Sequence, residues 1–268
     1  MRSVRAWLDV APLSRRDGEF LLSHELGISR TQLIAHPETN LTSEQEASLA
    51  NKLTMLESGT PLAYILGEWE FWGINLRVNE HTLVPRPDTE LLVELAAQLA
   101  PRDARLIDLG TGTGAIAIAL AKERTDLSVT ATDISRDALE VAEDNAVTNN
   151  VDIKFIQSDW FSDIEGQFDV IVSNPPYIAD NDPHLVSLSR EPQRALKAGV
   201  DGMDALKQIS GHAPNHLPPQ GLILVEHGYD QGQRVRTLLD DGGYTNVATH
   251  RDLGDNERVT LGYISNLH

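Results

Sequence analysis

The chain of 268 residues contains no cysteine, which excludes disulfides, thiolate metal ligands and cysteine nucleophiles. Aromatic residues make up only 5% of it, and basic residues are outnumbered. The 22 Lys and Arg against 40 Asp and Glu leave a formal net charge of −18. A field of this sign repels phosphate backbones, so we expect no nucleic acid as the direct substrate.

Long apolar runs are also missing. The longest run near the glycine cluster, from Ala115 to Ala121, is far shorter than the roughly 18 to 20 residues that span a bilayer. The start of the chain lacks the continuous apolar segment of a secretory signal. We therefore expect a soluble, cytoplasmic protein with no membrane partner.

The first part of the chain, residues 1–66, has apolar side chains at helical spacing and no segment that alternates with period two. Gly27 is placed to end one helix, and Ser43 with Glu46 makes a capping-box pattern at the start of another. These signals predict a small helical bundle as the first domain.

Residues 67–86 predict a β-hairpin connector, because aromatic and alternating apolar residues flank a turn at Gly73. A second domain would cover residues 87–268. Its first helix is expected to begin at Pro87, whose fixed φ suits a first helical turn.

From residue 104 onward, short apolar runs alternate with helical stretches. The strand candidates are RLIDLG, SVTATD, IKFIQSD, FDVIVSN and LILVEHG, followed by the closely spaced pair VATHRD and ERVTLGYI. Helical crossovers predict an α/β fold with a doubly wound, mostly parallel seven-stranded sheet, and the last pair predicts an antiparallel C-terminal hairpin. A hairpin in that place is typical of methyltransferases rather than of dehydrogenases.

A glycine-rich turn follows the first strand of this sheet and consists of Gly110, Thr111, Gly112, Thr113 and Gly114. Glycines allow a tight turn and let the backbone approach a ligand closely beside a helix N-terminus. The same stretch also satisfies the dinucleotide pattern G-x-G-x-x-A. By itself it leaves open an S-adenosyl-L-methionine loop, a dinucleotide loop and a structural turn.

Two acidic residues flank this turn in the predicted sheet. Asp133, at the end of the second strand, is placed to accept both hydroxyls of a ribose, a group that both cofactors contain. Its alternative role is a helix cap, which Ser135 could also provide. Asp108, just before the glycines, favours a ligand with a cationic ammonium and sulfonium over a pyrophosphate.

The tetrapeptide Asn174, Pro175, Pro176 and Tyr177 follows the fourth strand, at the edge where ligands of open α/β sheets bind. The Asn174 side-chain oxygen and the Pro175 carbonyl could each accept one N–H of an NH₂ group. That would aim the nitrogen lone pair at a methyl donor. The prolines stiffen the backbone, and Tyr177 offers a flat face for stacking. These are the predicted catalytic and substrate-binding residues.

With these residues in place, the chain resembles the PrmC/HemK family, the methyltransferases that modify glutamine N5 in peptide chain release factors. The resemblance covers essentially the whole chain. It rests on RRDGEFLL, PRPDTE, DLGTGTGAIAIALA, SDWF, SNPPYI, EHG and GDNERVTLG. It implies a class I S-adenosyl-L-methionine-dependent methyltransferase fold and a helical N-terminal domain that helps to hold class-1 release factors.

The resemblance also implies roles for residues of the site. The turn at 110–114 and Asp133 would hold S-adenosyl-L-methionine and then S-adenosyl-L-homocysteine, with Asn174 also at the cofactor. Trp160 would line the adenine pocket beside Asp159. Residues 174–177 would clamp the glutamine amide. No metal is expected.

Two departures from the family pattern are Arg190, where an aromatic residue normally precedes Glu-Pro, and Asp88, where Glu is common. Three rivals remain beside this interpretation. An adenine-N6 nucleic-acid methyltransferase shares the Asn-Pro-Pro-Tyr motif but usually has a basic recognition region, which this chain lacks. The others are a nicotinamide-dependent oxidoreductase and a catalytically silent binding module.

Overall fold

The structure, a computed structural model, describes residues 2–265, which divide into two compact units, one ending at Glu68 and the other beginning at Trp69. The helices of the first unit are α1 (Val4–Leu8), α2 (Arg15–Leu26), α3 (Arg30–Ala35), α4 (Ser43–Glu57) and α5 (Leu62–Leu66). Their inward faces share one apolar core that includes Trp7, Leu22 and Leu49. The expected helical bundle is confirmed.

Caps determine where these helices begin and end. Gly27 ends α2 as predicted, with a left-handed φ of 63° that glycine adopts without the steric cost of a Cβ. The predicted capping box of Ser43 and Glu46 is wrong by one residue, because Ser43 is already helical. Thr42 has an extended backbone (φ −72°, ψ 163°) and exchanges hydrogen bonds between side chain and amide with Gln45.

Two short strands, β1 (Glu68–Phe71) and β2 (Ile74–Arg77), form a two-stranded sheet. Trp72 and Gly73 between them both have positive φ, 52° and 67°. This is the backbone that a tight type I′ hairpin turn requires, and it lies where the sequence pattern predicts it. The role of residues 67–86 as a connector between domains stays a prediction.

The larger unit is built on a seven-stranded sheet. Its elements are α6 (Glu90–Leu99), β3 (Arg105–Leu109), α7 (Ala115–Glu123), β4 (Ser128–Asp133), α8 (Arg136–Thr148), β5 (Lys154–Gln157), β6 (Val170–Ser173), α9 (Asp204–His212), β7 (Leu222–Glu226), α10 (Gly232–Asp241), β8 (Tyr244–Arg251) and β9 (Glu257–Ile264). The strand order is β5-β4-β3-β6-β7-β9-β8. The first five strands are parallel, and β9 is antiparallel to both β7 and β8. The predicted α/β fold with its antiparallel C-terminal hairpin is confirmed.

The central strands place successive side chains in two apolar layers. On β6, Val170 and Val172 belong to the layer that contains α6 and α7, whereas Ile171 belongs to the layer that contains α9 and α10. On β3, Leu106 and Ile107 divide in the same way. Burial on both faces explains why these strands appear in the sequence as nearly continuous apolar runs. It leaves the carboxyl edge of the sheet as the place for a ligand.

Two carboxyl groups are completely buried near this edge, Asp108 on β3 and Glu226 at the end of β7. Burial raises the pKa of Asp108 to about 7, although hydrogen bonds from the Thr111 hydroxyl and the Ala117 amide act against this shift. Burial also raises the pKa of Glu226 to about 7. Oδ1 of Asp108 and Oε2 of Glu226 accept no hydrogen bond from residues 2–265. Both carboxyls can therefore lower their desolvation cost by taking up a proton near neutral pH.

The substitution Asp108→Asn tests this burial. The pKa of Asp108 is 3.8 in the unfolded chain and about 7 in the fold. Its contribution to stability is therefore complete below pH 3.8 and is lost as the pH rises through 7. The difference in unfolding free energy between Asp108→Asn and the wild type should shift by about 3 kcal/mol in favour of the variant as the pH rises from 5 to 8. Urea unfolding at a series of pH values measures this difference. The control Asp152→Asn removes an exposed carboxylate and should run parallel to the wild type. If the unfolding free energy of Asp108→Asn changes with pH in the same way as that of the wild type, the prediction is wrong.

Candidate active site

A cavity of about 280 Å³ opens at the carboxyl edge of the larger sheet. This volume is near the lower end of the range for small-molecule sites. The turn after β3, the first residues after β4 and β5, and Asn174 with Pro176 after β6 form one side of it. Two stretches outside the sheet, within residues 81–89 and 192–195, also line it, together with Ala115 and Ile116 of α7 and Ala138 of α8.

The turn between β3 and α7 contributes four residues to the lining, Gly110, Thr111, Gly112 and Thr113. Gly110 and Gly112 have φ values of 73° and 56°, which other residues rarely adopt. The Thr111 hydroxyl donates to Oδ2 of Asp108 at 2.6 Å. Asp108 therefore supports the turn from below and does not itself line the cavity, and its preference for a cationic ligand over a pyrophosphate stays a prediction.

Gly114 was predicted to hold the cofactor, but it does not line the cavity. A Cβ on this residue would lie 2.9 Å from Cδ1 of Ile118 and 3.2 Å from Cβ of Ala142. Its φ of 81° also favours glycine. Gly114 thus allows the turn to pack closely against α7 and α8, and its part in holding the cofactor stays a prediction.

Asp133, at the end of β4, lines the cavity and connects this strand to the glycine turn. Its Oδ2 accepts from the Gly112 amide and its Oδ1 from the Ser135 amide, both at 2.9 Å. Burial raises the pKa of Asp133, while these two amides and the charge of Arg194 act against that shift. Each carboxylate oxygen retains a second lone pair that can accept from a ligand hydroxyl. The side chain of Ser135, rather than Asp133, caps α8 by accepting from Ala138.

Trp160 lines the cavity next to Asp159. Its backbone has a positive φ of 49°, and its carbonyl accepts from the Ser158 hydroxyl at 2.9 Å. The indole lies over the glycine turn, since a Cβ on Gly110 would lie 3.4 Å from Cζ3 of Trp160. A planar ligand group beside the turn would therefore meet an aromatic wall.

Asn174 and Pro176 line the cavity directly after β6, whereas Pro175 is buried. Nδ2 of Asn174 donates to Oγ1 of Thr89 at 3.0 Å. Within residues 2–265, neither Oδ1 of Asn174 nor the Pro175 carbonyl accepts a hydrogen bond. Both oxygens retain their capacity to accept from a ligand.

Tyr177 does not line the cavity. Its hydroxyl donates to Oε1 of the buried Glu226 at 3.3 Å, and its carbonyl accepts from Nε2 of Gln231 at 3.0 Å. Burial and the nearby Glu226 raise the pKa of Tyr177, so its hydroxyl stays a neutral donor. The ring remains half-buried, which leaves stacking on a substrate, the role predicted from sequence, as a prediction.

Sequence reasoning missed the part of the lining that comes from outside the sheet. Arg86 and Thr89 belong to the PRPDTE stretch, and Arg194 follows in the loop before α9. The buried Glu191 joins the two stretches, because it accepts from Nη2 of Arg86 at 2.6 Å and from the Val84 amide at 3.2 Å. The PRPDTE motif was the signal in the sequence for these residues, but apolar periodicity does not show which distant residues a polar motif contacts.

The assembled groups define what the site can bind. Asp133 offers acceptors for hydroxyls, Trp160 offers a planar apolar wall, and the turn at 110–113 brings backbone close to a ligand. Asn174 adds an acceptor in the lining that no residue from 2 to 265 uses, and the carbonyl of the buried Pro175, between two lining residues, is a second such acceptor. In the part of the chain from 2 to 265, no group of three or more His, Asp or Glu side chains could hold a metal ion. The groups that line the cavity can bind and orient a ligand by hydrogen bonds and apolar contact.

Comparison with known proteins agrees with this geometry. Residues 1–67 match the PrmC N-terminal domain, and residues 87–199 match the methyltransferase small domain. The release factor glutamine methyltransferase of Salmonella typhimurium is 49% identical over 253 residues, covering 92% of this chain and 91% of the relative. The enzyme of the same name from Escherichia coli is 47% identical over 267 residues, covering 98% and 96%.

A solved structure shows the same fold at a greater distance. A methyltransferase from Pyrococcus furiosus superimposes with a TM-score of 0.58 at 18% identity, covering 84% of this chain and 100% of its own. That likeness concerns the fold alone. The family follows from the identity and coverage of the bacterial relatives: this chain belongs to the release factor glutamine methyltransferases.

Proposed function

We propose that this chain transfers a methyl group from S-adenosyl-L-methionine to N5 of the glutamine in the Gly-Gly-Gln motif of class-1 peptide chain release factors, leaving S-adenosyl-L-homocysteine. The name of its relatives supports the substrate. The observation that carries the proposal is that Asn174, whose Oδ1 accepts no hydrogen bond within residues 2–265, lines the same cavity as the glycine turn and is followed by Pro175, whose carbonyl also accepts none. That pair matches the two N–H donors of a carboxamide.

The residues of the cavity fit S-adenosyl-L-methionine. We propose that the turn at 110–113 approaches it with backbone, Asp133 accepts from its ribose and Trp160 packs on its adenine, with Asn174 at the methyl end. Gly114 supports the turn from behind. When bound, this group supplies a methyl carbon activated by a positively charged sulfur. The half-buried carboxylate of Asp133, which lines the cavity, suits a cationic ligand in its neighbourhood.

The chain's residues act on the glutamine amide, which is a weak nucleophile because its nitrogen lone pair is delocalised into the carbonyl. Acceptors at Asn174 and Pro175 would hold both N–H groups and turn the lone pair toward the methyl carbon. These two acceptors would bind the N–H groups more strongly as positive charge develops on the nitrogen. They would therefore stabilise the transition state more than the bound substrate. The amide nitrogen would gain a bond to the methyl carbon that the bound donor supplies and would release one proton to solvent, while Asn174 and Pro175 hold it in place. No covalent intermediate with the chain is needed.

We further propose that the helical unit recognises the protein substrate, while residues 87–268 form the catalytic domain. Each unit has an apolar core of its own, since one core lies within residues 4–66 and the others lie within 71–264. The net charge of −18 disfavours a nucleic-acid substrate. Across residues 2–265, no helix has the length and hydrophobicity of a membrane span.

The proposal is tested by incubating a purified class-1 release factor with this protein and labelled S-adenosyl-L-methionine. Peptide mass spectrometry should show one added methyl group on the glutamine of Gly-Gly-Gln. Single-stranded and duplex DNA incubated in parallel should remain unmethylated. Methylated adenine without methylated glutamine would support the nucleic-acid rival instead.

Asn174→Ala should lower kcat far more than it weakens donor binding, because the lost acceptor acts mainly in the transition state. By analogy with removing one oxyanion-hole donor, the expected loss is roughly 10²- to 10³-fold in kcat. Steady-state kinetics measures this, and calorimetry with S-adenosyl-L-homocysteine measures binding. The control Asn215→Ala changes an exposed asparagine away from the cavity. Wild-type turnover in Asn174→Ala would remove the orienting role.

Asp133→Ala should weaken S-adenosyl-L-homocysteine binding by roughly 1 to 3 kcal/mol, or about 5- to 150-fold. The change removes acceptors for a ribose and also the partner of the Gly112 amide. Asp133→Asn, which keeps one oxygen, should lose less. Calorimetry measures both variants. Equal affinity in all three proteins would show that Asp133 does not contact the cofactor.

A fragment that begins at Trp69 should still bind S-adenosyl-L-homocysteine, since every proposed cofactor residue lies within it. Its kcat/KM for an intact release factor should fall sharply, because the helical unit is missing. A short Gly-Gly-Gln peptide, poor for both forms, should lose little further. Circular dichroism verifies that the fragment is folded. If the folded fragment methylates intact release factor as well as the full chain does, the helical unit does not recognise the substrate.

A further inference from the structure

Three successive residues of the glycine turn are each held by a separate hydrogen bond to another segment. The Thr111 amide donates to the Thr132 carbonyl on β4 at 2.8 Å. The Gly112 amide donates to Oδ2 of Asp133 at 2.9 Å. The third bond reaches Thr113, the last residue of the turn that lines the cavity, and it comes from a side chain that does not line the cavity.

That side chain is Asn145 on α8, which is 2% exposed. Its Nδ2 donates to the Thr113 carbonyl at 2.9 Å and to the Arg77 carbonyl at 3.0 Å. Its Oδ1 accepts from the Arg77 amide at 2.7 Å. A flipped amide would set its NH₂ group against the Arg77 amide and its oxygen against two carbonyls. The three hydrogen bonds therefore allow a single orientation of Asn145, in which both of its N–H groups are used.

The two partners of Asn145 belong to segments that are far apart in the chain. Arg77 is the last residue of β2, and its N–H and C=O both meet Asn145, as a strand residue meets a residue of a neighbouring antiparallel strand. Thr113 belongs to the turn after β3. One buried side chain thus joins β2 to the turn that lines the cavity.

The Thr113 carbonyl depends on this contact. Thr113 is 3% exposed, and within residues 2–265 no other group donates a hydrogen bond to its carbonyl. Without Asn145, this carbonyl would have to stay unpaired or move toward water, and both are unfavourable for the present turn. A movement of the carbonyl would change the wall of the cavity, because Gly112 and Thr113 are consecutive lining residues.

We propose that Asn145 is a positioning residue for cofactor binding: its Nδ2 holds the Thr113 carbonyl, and thereby the turn at 110–113, in the conformation that accepts S-adenosyl-L-methionine. The inference rests on the proposed place of the cofactor beside that turn. Asn145 does not line the cavity, so it acts through the turn and does not touch the reacting atoms. Its effect falls on the affinity for the cofactor rather than on the rate of methyl transfer.

Asn145→Leu and Asn149→Leu form a matched pair for the test in the full chain. Leucine is branched like asparagine but forms no side-chain hydrogen bond. We expect Asn145→Leu to weaken S-adenosyl-L-homocysteine binding roughly 5- to 20-fold, as measured by calorimetry. Asn149, at the C-terminal end of α8, donates to the carbonyls of Asn75 and Asn145 and, within residues 2–265, not to the turn. Asn149→Leu should therefore bind within about twofold of the wild type.

Asn145→Asp removes the donor and keeps the shape of the side chain. Its carboxylate can still accept from the Arg77 amide, but an ionised carboxylate cannot donate to the Thr113 carbonyl. In slightly alkaline buffer we expect the affinity to fall at least as far as in Asn145→Leu. This variant keeps the test valid if leucine disturbs the fold, and thermal unfolding verifies that each variant is folded. Wild-type affinity in folded Asn145→Asp would overturn the proposal, as would an equal loss in Asn149→Leu.

Steady-state kinetics separates this role from a general loss of structure. KM for S-adenosyl-L-methionine should rise in Asn145→Leu by about the same factor as the dissociation constant. At saturating cofactor and release factor, kcat should stay within about threefold of the wild type. A lower kcat with an unchanged KM would contradict a role in cofactor binding.

Hydrogen exchange of the Gly112 amide gives a readout that is independent of turnover. In free Asn145→Leu this amide should exchange faster than in the wild type, because the turn loosens, while the Val172 amide in the sheet keeps its wild-type protection. Equal acceleration at both amides would show a global effect and overturn the proposal. If the wild type binds S-adenosyl-L-homocysteine but methylates no release factor, the proposed function fails and the role of Asn145 in cofactor binding stands.

Discussion

The parallel strands of the larger unit end at one edge of the sheet, and the glycine turn, Asp133 and Asn174 come together at the candidate site because of this constraint. Asp108 on β3 is in register with Ala131 on β4 and with Val172 on β6. The turn at 110–113, Asp133 and Asn174 therefore reach the same edge, although long stretches of chain separate them. The strands bury both of their faces in apolar layers, so this edge is where polar groups can meet a ligand.

Polar groups at a buried edge are costly unless they are paired, and the fold pairs them across distant segments. Asp88 and Thr89 come from PRPDTE, and Asn174 and Tyr177 from NPPY. Glu226 comes from EHG and Arg258 from the last hairpin. Four of the motifs that carry the family resemblance thus supply three side-chain pairs, Thr89 with Asn174, Tyr177 with Glu226, and Asp88 with Arg258. Loss of Asn174 or of Tyr177 would leave the buried Thr89 or the buried Glu226 without that partner, which costs roughly 1 to 3 kcal/mol.

Backbone segments with positive φ also shape the site. Gly110 and Gly112 bring the chain close to the cavity, and Trp160 adopts a positive φ although it has a Cβ. The hydrogen bond from the Ser158 hydroxyl to the Trp160 carbonyl helps to hold that conformation. As a result, the indole lies over the glycine turn, and the two segments form one binding surface.

The sequence by itself determined the features that depend on local patterns. Apolar periodicity predicted the helical bundle, the parallel strands and the final hairpin, and the glycine spacing predicted the turn of the site. The tertiary structure decided the rest: that Gly114 lies behind the turn, that Tyr177 points to Glu226, that Glu191 joins Arg86, and that Asn174 donates to Thr89. These contacts join residues far apart in the chain, and hydrogen bonds between polar side chains leave no periodic trace in a sequence, because each depends on where two separate backbone segments come to lie.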